Sequence, residues 1–120
     1  MESFKFSYTY DFAFDLVDLS CDGEFAYKQS VKLDEGIYLD FDGENRPVAL
    51  ELIGASKILG IHRRHLVEPD FKLYIKITDT LIKTEINVGY LIKRRRHELS
   101  IKNQASNHYS IPSLEIVLTN

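Results

Sequence analysis

The densest run of charge in the chain is Lys93-Arg94-Arg95-Arg96-His97, four consecutive cations closed by an imidazole. Such side chains neutralise phosphates or carboxylates, and Tyr90 and Tyr109 are the aromatics that would supply stacking faces beside them. Lys93, Arg94, Arg95 and Arg96 are therefore the residues with which the chain would contact nucleic acid or an acidic partner. The same run also serves as a solvated basic loop or edge, because Lys and Arg on an edge strand block unwanted strand pairing. The whole-chain balance favours that quieter use. Fifteen Lys and Arg against eighteen Asp and Glu leave a net charge of −3, whereas dedicated nucleic-acid binders are usually basic.

Other constellations are weaker. His62-Arg63-Arg64-His65 places two imidazoles three residues apart, but two ligands do not make a zinc site and flanking arginines repel a cation. His97 and His108 would have to be brought in by the fold. Asp40-Phe41-Asp42-Gly43-Glu44-Asn45 has oxygen donors at alternate positions, as a calcium loop does. Its Gly is in the wrong place for an EF-hand, and a hairpin turn accounts for the same residues. Ser56 lacks a nucleophile-elbow context. Cys21 lies beside Asp22 and near Glu24, which oppose thiolate formation. No Gly-rich phosphate loop is present. The sequence thus points away from an enzyme and calls for no metal and no cofactor.

The elements that must carry these residues are strands. The strongest pattern is Ile37 to Ile53, two apolar alternations about a turn at Asp42-Gly43-Glu44-Asn45. A four-residue loop predicts a hairpin pairing Phe41 with Val48, Leu39 with Leu50 and Ile37 with Leu52, with Pro47 at the mouth. Upstream, Phe4, Phe6, Tyr8 and Tyr10 alternate with polar residues, a turn brackets Phe12 and Phe14, and Leu16 to Ser20 returns. Phe25 to Leu33 reads as a further strand. Gly54 to Leu59 allows one or two helical turns stopped by Gly60, and His62 to Pro69 is a connector. Phe71 to Thr78, Thr80 to Leu91 (one or two strands), Leu99-Ile101 and Leu114-Leu118 resume the alternation. The expectation is one compact, mainly β domain over 1–120, of antiparallel meanders and hairpins with at most short helices.

No apolar run approaches the roughly 20 residues that a membrane span needs. The lone cysteine fits a reducing cytoplasm. Charge is divided along the chain: residues 1–60 carry twelve acids against five Lys and Arg, and residues 61–120 carry six against ten. Either the halves attract each other, or the basic half has an acidic partner.

Tyr10-Asp11, Asp15, the Gly-containing hairpin at Asp40-Phe41-Asp42-Gly43, Leu50-Glu51-Leu52-Ile53 and Ala55-Ser56-Lys57 together resemble domain-of-unknown-function family 2283, over residues 4–60. Ala49 stands where that family is expected to favour Gly. The resemblance implies a β-rich binding partner of ribonuclease-like toxin proteins, not a catalyst. Residues 71–120 read as a diverged second copy: Leu73-Thr78 would answer to Asp15-Ser20, Leu99-Ile101 to Ile37-Leu39, and Leu114-Val117 to Leu50-Ile53. Any two β meanders share this much, so coincidence is the alternative. A true repeat predicts two similar halves packed as a pseudo-dimer. The functional expectation is a non-catalytic protein-interaction module that binds another protein or itself. Nucleic-acid binding through residues 93–97 is the alternative, and a small hydrolase is the weakest reading.

Overall fold

A computed structural model describes residues 2–120. Nine strands run β1 (Glu2–Asp11), β2 (Leu16–Cys21), β3 (Tyr27–Asp34), β4 (Ile37–Asp42), β5 (Pro47–Ile53), β6 (Asp70–Ile77), β7 (Leu81–Ile92), β8 (Arg95–Ser106) and β9 (Leu114–Thr119). A five-residue helix α1 (Ala55–Leu59) and a 3-10 turn (Arg63–Leu66) separate β5 from β6. All the strands join one sheet in the order β3-β4-β5-β2-β1-β9-β6-β7-β8. No helix among the described residues is long and apolar enough to cross a membrane.

The sheet curls because β1 serves two partners. Its first residues, Glu2–Lys5, pair in parallel with β9, and Phe6–Asp11 pair antiparallel with β2. Curling brings the edge strands β3 and β8 near each other, and Asn103 Nδ2 donates to Asp34 Oδ2 at 3.4 Å. Period-two alternation then puts one side chain of each pair inside. Val17, Leu19, Leu39, Leu50 and Leu52 from one half meet Phe71, Leu73, Ile75, Ile86 and Leu118 from the other in a shared core.

The central hairpin forms with Leu39 opposite Leu50 and Ile37 opposite Leu52, as the alternation predicts, but its mouth differs. Phe41 pairs with Pro47, not Val48, across an irregularity in the register. The cause is Asp42. Its carboxylate accepts the Glu44 and Arg46 backbone N–H groups at 2.9 Å, and its own N–H donates to Arg46 O at 3.0 Å. This closure draws Pro47 opposite Phe41 and leaves Val48 as the extra residue of a bulge. Gly36 enters the hairpin at φ 74°, and a Cβ there would stand 2.5 Å from Ile53 O. Only glycine fits.

The connection order does not repeat. In the first half β4 pairs with β5 and β5 with β2. The expected counterpart of β4 is β8, which pairs with β7 and not with β9. Spatially the first set reads β2-β5-β4-β3 and the second β9-β6-β7-β8, Greek keys traced in opposite chain directions. A diverged copy would keep one direction, so the expected repeat and pseudo-dimer do not appear. One continuous curled sheet stands in their place.

Candidate interaction surfaces

Register decides where the basic run goes. Ile92 pairs with Arg95, so Lys93 and Arg94 form the two-residue tip of the β7–β8 hairpin. Their φ angles are 49° and 67°. Both are positive, as a type I′ turn demands, and such turns usually carry Asn-Gly. Side chains with a Cβ pay for that conformation in strain. Beyond the tip, Arg95 and Arg96 begin an edge strand, so the run is at once a loop and a basic edge.

The four cations are not equivalent. Arg96 crosses the backbone of Gly89 and donates to Asp70 Oδ2 at 2.7 Å and Glu98 Oε1 at 2.9 Å. It is a clip between strands. Lys93, Arg94 and Arg95 make no ion pair among the described residues and are exposed. The His62-Arg63-Arg64-His65 segment packs against this end. Arg63 is consumed in holding the β1–β2 turn through Phe12 O at 2.9 Å. His62 Nδ1 accepts the Arg64 N–H and so caps the 3-10 turn.

His65 lies over Tyr90 with ring centroids 5.2 Å apart, and His97 stacks on the same tyrosine at 5.6 Å. Burial, then Arg64, His62 and His97, push the His65 pKa down, so this imidazole is neutral at physiological pH. Tyr109 and His108 follow β8 at its other end, roughly 35 Å along the strand from the tip. Tyr109 therefore supplies no stacking face to the basic run. Among the described residues no His, Cys, Asp or Glu cluster is arranged to hold a metal.

A second charged surface escaped the sequence reading. On the outer face of the first half, Asp18 of β2 neighbours Glu51 of β5, and Asp40 of β4 lies in the adjoining row beside Ser30 of β3. Ser20 donates to Asp18, and Ser30 to Asp40. Burial and then Asp18 raise the Asp40 pKa, while burial, Asp40 and Asp18 raise that of Glu51. The only sequence signal was alternation itself, which aligns these carboxylates only once the strand order is known.

Three of the residues that carry the family resemblance, Tyr10, Asp15 and Ser56, converge on a structural clamp. Asp15, buried and at φ 54°, accepts the Tyr10 hydroxyl at 2.6 Å, the Ser56 hydroxyl at 2.7 Å and the Ser56 N–H at 3.0 Å. Its carbonyl accepts the Gly54 and Ala55 N–H groups. Burial works against its charge, but the bonds from Tyr10 and Ser56, helped by Arg63, outweigh that and lower its pKa. The clamp ties the β1–β2 turn to the start of α1. Ser56 is thus bound in structure, and Cys21 is a half-buried thiol whose pKa is raised by burial, then by Asp42 and Asp22.

Among the described residues every ion pair stays within its own half. Lys32–Glu35, Arg46–Asp42 and Arg46–Glu44 lie in the first; Arg96–Asp70, Arg96–Glu98 and Lys102–Glu85 lie in the second. Among the described residues, the acidic half does not neutralise the basic one. No curated protein and no solved structure matches the chain. Residues 7–56, somewhat less than half of it and within the stretch that carries the motifs, match the model of a family described as "Protein of unknown function (DUF2283)".

Proposed function

We propose that this protein is a non-catalytic interaction module that meets an acidic segment of a partner protein with its basic end. What carries this reading is the absence of ion pairing between the halves among the described residues, beside three unpaired cations, two on a strained tip and Arg95 next to it. Strain at a turn that Asn-Gly would relieve is a stability cost, and it is retained where the side chains are used. The acidic outer face of Asp18, Asp40 and Glu51 would suit a basic protein, such as the ribonuclease-like partner that the resemblance implies.

Nucleic acid is the second reading, favoured by the His65–Tyr90–His97 ladder behind the cations. It ranks second because two imidazoles already pack against Tyr90 and the whole chain is acidic, with a net charge of −3. Fluorescence anisotropy with labelled poly-glutamate and with single-stranded oligonucleotides tests both. Poly-glutamate should bind in a salt-sensitive way, and R94E/R95E should abolish it. Tight oligonucleotide binding near physiological salt would install the second reading. Binding of neither would end both.

A further inference from the structure

The open end of the curled sheet, where β1 passes from β2 to β9, leaves a pocket of about 400 Å³. We infer that it is a binding site for a small amphipathic organic cation, an amine with an aromatic or branched aliphatic body. Its wall is the inner face of the fold reaching solvent: Phe6, Val48, Ile116 and Leu118 at the back, with Phe4 and Phe25 at the lip. The lip phenylalanines are large exposed apolar residues, 45% and 38% accessible, and they face a cavity instead of standing alone on a surface. The volume falls within the ordinary range for small-molecule sites, and the mouths of curled sheets are common places for them.

Charge selects the ligand. Among the described residues, Glu2, Asp22, Glu24 and Asp42 line the pocket against a single cation, Arg46. Arg46 is already committed to Asp42 at 3.0 Å and Glu44 at 3.1 Å. Asp22 takes a hydrogen bond from the Ser7 hydroxyl, and Glu2, Asp22 and Glu24 have no cation partner among the described residues. An apolar interior under an uncompensated acidic rim repels carboxylates and favours an ammonium head. The aromatic lip adds cation–π attraction. Val48 lines the site because the bulge made by Asp42 turns it aside from the hairpin register.

The test is amide chemical-shift titration of the full chain with phenethylammonium, 2-phenylethanol and phenylacetate. The cation should perturb residues 4–6, 21–25, 48 and 116–118. It should bind roughly fivefold more tightly than the neutral alcohol, and phenylacetate should bind least. The exposed-loop variant D22N/E24Q should bring the cation's affinity down towards that of the alcohol, leaving the alcohol's unchanged. Equal affinity for cation and anion, perturbation confined to other residues, or cation binding indifferent to D22N/E24Q would overturn the assignment. None of these results depends on the basic hairpin tip, so the two proposals stand or fall separately.

Discussion

The guanidinium of Arg96 occupies the space that a side chain at position 89 would take: a Cβ built on Gly89 would stand 2.2 Å from Arg96 Nη2. The obstructing atoms belong to the far end of a flexible side chain, so Gly89→Ala should displace Arg96 rather than the backbone. Its ion pairs to Asp70 and Glu98 are at the surface and add little to stability in water. The variant should keep a urea midpoint close to that of the wild type. It also frees a fourth cation beside the tip. Poly-glutamate affinity should therefore rise in Gly89→Ala, and a large fall in the urea midpoint would show that the clip is structural.

The hairpin tip makes the opposite trade. Replacing Lys93-Arg94 by Asn-Gly supplies the residues that positive φ prefers at both positions. K93N/R94G should stabilise the fold by about 1 kcal/mol in denaturant titration, because glycine removes the Cβ at 94 and asparagine tolerates the left-handed region at 93. The same variant should lose affinity for acidic ligand. A variant no more stable than the wild type would mean that the tip carries no strain, and the structural argument for its use would fail.

The sequence made the hairpins legible because period-two patterning and turn residues are local signals. Leu39 opposite Leu50 follows from alternation and loop length alone. The bulge at Val48 did not, because it depends on three hydrogen bonds that only a folded Asp42 makes. The strand order was illegible for a deeper reason. Nothing in the residues of β8 states whether it will lie beside β7 or β9, and the apparent repeat rested on local likeness without pairing information. Site residues divide in the same way. The basic run was readable as charge, yet Arg96 being clipped over Gly89 while Lys93, Arg94 and Arg95 stay free is a matter of register. The acidic surface joins Asp18 of β2 to Asp40 and Glu51 of the β4–β5 hairpin, and β3 intervenes in the chain between them.

Leu50 lies in the middle of the five-stranded half with its side chain fully buried between β2 and β4. Truncation to alanine removes contacts on both sides and leaves a cavity that regular strands cannot collapse into. The loss in stability should be about 2–5 kcal/mol, read from urea denaturation. A loss below about 1 kcal/mol would mean that the core relaxes around the gap, contrary to close packing at this strand.

Asp15 and Asp40 should respond to pH with opposite signs. The Asp15 carboxylate is stabilised by Tyr10 and Ser56, so its pKa lies below the ordinary 3.8, and its contribution holds above that value and is lost as pH falls through the folded pKa. Asp15→Asn should cost about 1.5–3 kcal/mol at neutral pH, the worth of hydrogen bonds to a charged group. That deficit should narrow only below the ordinary value. Asp40 is the reverse. Burial and Asp18 raise its pKa, so the fold favours the protonated form, and that contribution is full below 3.8 and lost as pH rises through the folded pKa. Asp40→Asn mimics the protonated acid and should be more stable than the wild type at neutral pH. Its advantage should already shrink as pH is lowered towards 3.8, while the Asp15→Asn deficit is still intact. Stability curves of the two variants across that range measure both windows. An Asp40→Asn variant less stable than the wild type at neutral pH would mean that the Ser30 hydrogen bond outweighs burial and repulsion, and that the acidic face is built to hold its charge.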